Sequence, residues 1–189
     1  MEKEKIFTCC IFDKEYSNNC IAQSLKECNK NNNKPVFICV GSDLILGDSL
    51  GPLVGTLLKN KKLDSFIYGT LNSPVTAKEV NYAGEYLKRL HKNTVIISVD
   101  AAVGSENDVG LIKILNKGLK PGLGVNKNLN TLGDISIIGV VAEKSLKNVR
   151  LFSLTRLGLV YKMAQIISDG IEKYIKENFC DKSFYSSVF

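Results

Sequence analysis

Short apolar runs of strand length alternate with longer segments of helical spacing along most of this chain. Residues 36–40 are all apolar, and residues 95–99 are apolar except for Ser98, which is typical of strands covered on both faces. The pattern predicts strands at residues 36–40, 66–71, 95–99, 109–115 and 135–141. It predicts helices at residues 19–29, 52–61, 76–91 and 153–176.

This order of elements predicts an α/β fold. Strand–helix–strand units need right-handed crossovers and give parallel pairing, so we expect a three-layer α/β/α sandwich with a mostly parallel sheet. One of the last strands could be antiparallel, because residues 109–115 follow residues 95–99 with no helix between them. A polar break at residues 30–34 separates an expected N-terminal extension with a helix, residues 1–34, from a single α/β/α domain, residues 35–189.

Composition narrows the class of protein. The chain has 189 residues, of which 44% are hydrophobic and 23% charged, as in an ordinary globular domain. No apolar run approaches the roughly 20 residues that span a bilayer. The N-terminus carries acids and lacks a long apolar core, so we expect no signal peptide and a cytoplasmic location.

Charge and cysteine content exclude further classes. The net charge is +6, but the lysines are scattered rather than clustered with aromatic residues, so we expect no nucleic-acid partner. The six cysteines match no zinc module, and we expect all six to be reduced thiols.

Two acidic residues follow the most apolar strands. Asp48 lies in a glycine-punctuated turn, VGSDLILGDSLGPLVG, after the first strand, and Asp100 ends the strand at residues 95–99. Open α/β sheets place their chemistry at the carboxyl ends of such strands. We therefore predict that Asp48 and Asp100 are a catalytic pair, in which Asp100 holds the proton and Asp48 has the lower pKa.

Each acid also has a purely structural interpretation. Asp48 or Ser49 could cap the helix at residues 52–61, and Asp100 could cap a turn through residues 101–104.

Four further residues are predicted to contact substrate. Asp43 shares the turn with Asp48, and Asp134 precedes the strand at residues 135–141. Lys120 lies in GLKPGLG, residues 118–124, which is either a surface turn or a flap over the acids. Arg156 opens the last helix, where a cation is unfavourable for the helix dipole and suggests a specific partner.

The sequence lacks the residues that other common catalytic mechanisms require. His91 is the single histidine and ends a predicted helix, where a cation is common. A Ser-His-Asp or Cys-His mechanism therefore has almost no support, and neither a GxSxG elbow nor a phosphate-binding P-loop is present.

Several segments taken together resemble a known family. VGSDLILGDSLGPLVG, YGTLNSPVTA, VDAAVG, LKPGLGVNK and TRLGLV, in this order, look like the YyaC-type sporulation proteins, over roughly residues 35–175. That family is related to the germination (spore) protease and to the hydrogenase maturation endopeptidases. The resemblance implies a phosphorylase/hydrolase-like α/β/α fold and an unusual aspartic endopeptidase activity.

The resemblance also implies roles for particular residues. Asp48 in DSLGP and Asp100 in VDA fall on the two motif acids of the spore protease. The hydrogenase enzymes add a histidine to bind nickel, but His91 precedes the Asp100 strand and is in the wrong place for that role.

The resulting hypothesis is a sporulation-associated, endopeptidase-like hydrolase that uses Asp48 and Asp100 to activate water and needs no cofactor. Its partners would be peptides or small spore proteins inside the sporulating cell or spore, and a homo-oligomer stays open. Two alternatives remain: a non-catalytic binding or regulatory protein on the same scaffold, or an acid-lined site for Mg²⁺, Ca²⁺ or Mn²⁺.

Overall fold

The computed structural model describes residues 4–11, 13–120, 131–144 and 155–180. The strands within these residues are β1 Ile6–Cys10, β2 Pro35–Cys39, β3 Phe66–Tyr68, β4 Val95–Gly104, β5 Leu111–Leu115 and β6 Ile135–Glu143. The helices are α1 Lys14–Cys28, α2 Leu50–Asn60, α3 Val80–Leu90 and α4 Leu157–Phe179. Short 3-10 helices occupy Leu46–Ser49 and Glu106–Asp108.

The six strands form one mixed sheet in the order β1-β5-β6-β4-β2-β3. β2 pairs in parallel with β3 and β4, and β4 pairs in parallel with β6. β5 is antiparallel to both of its neighbours, β1 and β6. The predicted α/β class is confirmed, including the antiparallel member, which arises because β4 leads into β5 without a helix.

Helices cover both faces of the sheet. α1, α2 and α4 pack on one face, where Leu25, Val54 and Ile167 join the odd-numbered residues of β2 and β4 in the larger core. α3 covers the other face, where Val80 and Leu87 pack against Ile38 and other even-numbered strand residues. β2 is buried at all five positions, since it lies between these two layers.

The N-terminal residues belong to the same sheet and helix layer. β1 pairs with β5 along its whole length, and α1 packs against α4. α1 begins five residues before the predicted helix start, because the Asp13 side chain accepts a hydrogen bond from the Tyr16 N–H and caps the helix. The expected extension over residues 1–34 thus contains its helix and also contributes an edge strand.

The expectation of six free thiols is wrong for two cysteines. Cys9 on β1 and Cys20 on α1 form a disulfide that joins the strand to the helix above it. Cys10, Cys28, Cys39 and Cys180 are free. The pairing depends on β1, which the sequence pattern does not predict.

Some predicted segments differ in length or lie outside the description. β4 continues to Gly104 instead of ending at Val99, and α3 begins at Val80 instead of Thr76. Residues 121–124 of GLKPGLG and residues 153–154 of the last predicted helix lie outside the described residues. Within the described part of the chain, no helix is both long and apolar enough to cross a membrane.

Candidate active site at the carboxyl edge of the sheet

The candidate site lies where β2 ends beside β4. β2 leads through α2 to β3 on its outer side, and β4 enters on its inner side after α3 has crossed the opposite face. The two crossovers therefore run in opposite directions across the sheet, one outward from β2 to β3 and the other back from β3 to β4. In open α/β sheets, ligands usually bind in a crevice at such a switch point, outside the carboxyl ends of the strands.

Glycine residues fold the β2–α2 connection tightly over this crevice. A Cβ on Gly41, whose φ is +143°, would lie 2.0 Å from the Asp48 carbonyl oxygen. A Cβ on Gly51 would lie 2.0 Å from the Val40 carbonyl oxygen. The first turn of α2 thus rests directly on the end of the β2 segment, and Asp48 is held close to the strand ends.

Asp48 does not cap α2. It lies within the 3-10 helix Leu46–Ser49, and the N-cap of α2 is Ser49, which forms no side-chain capping bond. The Ser49 hydroxyl donates to the Leu46 carbonyl oxygen instead. The capping interpretation of Asp48 and Ser49 is therefore wrong, and the Asp48 side chain remains available at the crevice.

Asp100 lies within a strand and not before a turn. β4 continues through Gly104, so the predicted turn at residues 101–104 does not exist. Beyond Val99 the neighbouring strand β2 has ended, while β6 still pairs with β4, with Asp100 opposite Ile138. One Asp100 carboxyl oxygen accepts a hydrogen bond from the Ala101 N–H at 2.8 Å.

The surroundings raise the pKa of both acids. Burial and, to a smaller extent, the negative charge of Asp48 raise the pKa of Asp100 to about 8, although the Ala101 N–H opposes them. Burial also raises the pKa of Asp48, and the nearby Ser42 N–H opposes this effect. Since an unperturbed aspartate has a pKa of about 4, Asp100 carries a proton at neutral pH.

Two of the predicted substrate contacts lie at this edge. Asp43 is exposed in the same connection as Asp48. Arg156 is the exposed N-cap residue of α4, a helix that packs against the 3-10 helix carrying Asp48. Thr155, which sequence reasoning did not select, is buried, and its hydroxyl has no hydrogen-bond partner in the structure as described.

Asp134 and Lys120 lie elsewhere. The Asp134 carboxylate accepts from the Ile96 N–H at 2.9 Å, and Ile96 is about 13 Å from Asp100 along an extended strand. Lys120 follows Leu119, which bonds to Leu132 just before Asp134. The structure gives Asp134 a strand-bracing contact and places both residues near the amino end of β6, away from the acid pair.

The residues do not fit a nickel site of the hydrogenase type. His91 ends α3, where its Nε2 lies 2.8 Å from the Tyr68 hydroxyl, before β4 begins. No group of three or more His, Cys, Asp or Glu side chains comes together among the described residues. Among the described residues, the acids at this edge are Asp48, Asp100 and the exposed Asp43, and they do not form such a group.

Comparison with known proteins agrees with this architecture. The structure resembles the crystal structure of a [NiFe] hydrogenase maturation protease, HycI, from Thermococcus kodakarensis KOD1, with a TM-score of 0.50. The two share 18% sequence identity, and the match covers 80% of this chain and 98% of that one. The chain therefore has an α/β fold similar to that of a protease.

The family follows from sequence similarity. The chain belongs to the family described as "Protein of unknown function (DUF1256)", which matches residues 10–170. It is 42% identical over 137 residues to "Uncharacterized protein YyaC" of Bacillus subtilis (strain 168), covering 72% of this chain and 67% of that one. The resemblance to the YyaC-type proteins is thus confirmed.

We expect Gly41→Ala to destabilise the protein by about 1–3 kcal/mol, because the new Cβ would overlap the Asp48 carbonyl oxygen at a φ that favours glycine. Gly158→Ala is the matched control, since a Cβ there meets no atom within 4 Å. In helix α4 that change should be neutral or stabilising by up to ~1 kcal/mol. Urea unfolding measures both, and equal stability of the Gly41 variant and the wild type would contradict the proposed packing.

We expect the free energy of unfolding of the Asp100→Asn variant to rise relative to that of the wild type as the pH increases. The folded protein keeps the Asp100 proton up to about pH 8, whereas the unfolded chain releases it near pH 4. Between these values the unfolded wild type binds fewer protons, so its stability falls as the pH rises. The neutral amide avoids this loss, and a difference that stays constant from pH 4 to 8 would show that Asp100 is not perturbed.

Proposed function

We propose that this protein is a hydrolase of the endopeptidase type, in which Asp48 and Asp100 act together on a water molecule and a peptide bond. The observation that carries the proposal is the unequal environment of the two acids at one crevice. Burial and the charge of Asp48 raise the pKa of Asp100 to about 8, so at neutral pH one acid is protonated beside another that can be ionised. Such a pair divides the roles of general acid and general base.

In the proposed reaction, the two acids supply and recover every proton that is transferred. The Asp48 carboxylate removes a proton from water, and the water oxygen attacks the carbonyl carbon of the peptide while Asp100 donates its proton to the carbonyl oxygen. The tetrahedral intermediate then collapses: the C–N bond breaks, Asp48 gives its proton to the leaving nitrogen, and Asp100 recovers a proton from the hydroxyl group. Both acids return to their starting states.

Substrate contacts in this proposal come from the same edge. Asp43 and Arg156 flank the crevice on the β2–α2 connection and on α4, where they could hold charged groups of a peptide. We propose small spore proteins as substrates and the interior of the sporulating cell as the location, on the basis of the family resemblance. This proposal requires no metal or cofactor.

Asp48→Asn and Asp100→Asn should each lower peptide cleavage at least 100-fold, the usual range for loss of a general acid or base. Purified protein is incubated with a small spore protein or with an unfolded test protein, and the products are identified by mass spectrometry. Asp13→Asn is the matched control, because Asn also caps the start of α1 and two strands, β5 and β6, separate β1 from β4. Wild-type activity should decline above about pH 8, where Asp100 loses its proton.

The assay separates the alternatives. Equal cleavage by the wild type and both variants would rule out the acid pair. Binding of the substrate without turnover, unaffected by Asp48→Asn, would instead identify a regulatory protein on this scaffold. Activity lost with a chelator and restored by Mg²⁺ or Mn²⁺ would make the two acids metal ligands.

A further inference from the structure

The free edge of β3 and the exposed face of α3 carry a continuous aromatic surface away from the acid pair. Tyr82, Tyr86 and Leu90 follow one another at helical spacing along α3, with exposed fractions of 82%, 58% and 52%. Phe66 on β3 is 60% exposed. We call these four residues, with Tyr68 and His91, the β3–α3 surface.

Ring contacts join the two elements. The Phe66 and His91 rings lie 4.7 Å apart at their centroids, and the Tyr68 hydroxyl lies 2.8 Å from His91 Nε2. Tyr86 is close enough to Tyr68 to affect its ionisation. The single histidine of the chain therefore fixes the end of α3 against the edge strand, and the aromatic groups form a preorganised surface.

Within the described residues the sheet ends at β3, which pairs there with β2 alone. Along its outer side lies a cavity of about 340 Å³, lined by Phe66, Ile67 and Tyr68 of β3 and by Lys59 and Lys62 at the end of α2. An unpaired strand edge can accept an extended peptide as an added strand.

Cations outnumber acids around this surface, where the exposed acids are Glu85 on α3 and Asp64, which is paired with Lys34. Lys59 and Lys62 border the cavity, and Arg89 and Lys92 border the aromatic stripe at the end of α3. None of these four exposed cations forms an ion pair with a described residue. A second copy of the chain would bring the same positive charges together, whereas an acidic partner would neutralise them.

The ring geometry favours a protein over a nucleic acid. The Phe66 and His91 rings contact each other at a tilt of 44°, and the Tyr68 hydroxyl is hydrogen-bonded to His91, so these rings are engaged within the chain. What remains open is a stripe of two tyrosines and a leucine, the kind of residues that anchor apolar side chains at protein interfaces.

We propose that the β3–α3 surface binds an extended segment of another protein that alternates acidic and apolar residues. The segment adds to the free edge of β3, where alternate side chains lie on opposite faces of the sheet: its apolar side chains contact Tyr82, Tyr86 and Leu90 on the α3 side, and its carboxylates face Lys59 and Lys62 on the α2 side. This interaction is separate from hydrolysis at the acid pair and does not depend on it.

The test uses three fluorescein-labelled probes and the full chain: a ten-residue peptide alternating Glu with Leu and Val, the same peptide with Lys in place of Glu, and a twelve-residue oligo-dT. Fluorescence anisotropy should show the acidic peptide binding at least tenfold more tightly than the other two. Its affinity should fall as salt is raised, because exposed charges are screened.

Matched variants locate the binding. Tyr82→Ala with Tyr86→Ala, and separately Lys59→Glu, should each weaken binding of the acidic peptide at least tenfold. Tyr16→Ala and Lys26→Glu on α1 remove the same groups from another exposed helix and should leave binding unchanged. All five sites are exposed, and circular dichroism checks that the variants fold.

Three results would overturn the proposal. One is equal affinity for the acidic and basic peptides, or equal affinity of the surface variants and the α1 controls. Another is tighter binding of oligo-dT with the same sensitivity to the surface variants, which would assign the surface to single-stranded nucleic acid. The third is a dimer in analytical ultracentrifugation that dissociates in the Tyr82 and Tyr86 variant, which would assign it to a second copy.

Discussion

The close backbone packing between the β2–α2 connection and the end of β2 is the constraint on which the rest of the site depends. Only glycine fits at Gly41 and Gly51, where any side chain would overlap a carbonyl oxygen of the connection or the strand. This packing turns the chain back over its own strand and sets Asp48 above the point where β2 ends. Without it, Asp48 would lie in an open loop and Asp100 would face water.

Burial of Asp100 at the end of β2 determines which of the two acids carries a proton. A carboxyl group that loses water but gains only one backbone N–H favours its neutral form, as Asp100 does. The neighbouring Asp48 adds its charge to the same effect. The edge of the sheet therefore holds two acids with different proton affinities, and the sheet interior that creates this difference is built from apolar residues with no catalytic role.

The sequence predicts the parts of the fold that repeat a simple pattern. The fully apolar β2 and the amphipathic α2 and α4 are recognisable because burial requires their side chains at regular spacing. β1 is missed, since a short edge strand is covered on fewer sides and IFTCC carries little alternation. The Cys9–Cys20 disulfide could not be predicted either, because the two cysteines meet only where α1 lies on β1.

The sequence predicts part of the candidate site in the same way. Asp48 and Asp100 can be found because each follows an apolar strand, and parallel strands end at the same edge. Asp134 is a candidate because it precedes a strand, and Lys120 because its glycine-rich loop could be a flap over the acids, but both lie near the amino end of β6. The β3–α3 surface could not be found from sequence, since its residues come from two elements that meet only in the folded chain.

The titration of the Asp100 carboxyl carbon by ¹³C NMR, in the wild type and in Asp48→Asn, tests the central claim most directly. The account predicts a wild-type pKa of about 8 and a lower pKa in the variant, because removing the Asp48 charge favours ionisation of Asp100. A wild-type pKa near the ordinary value of about 4, or a value unchanged by the substitution, would show that the two acids do not share a buried crevice.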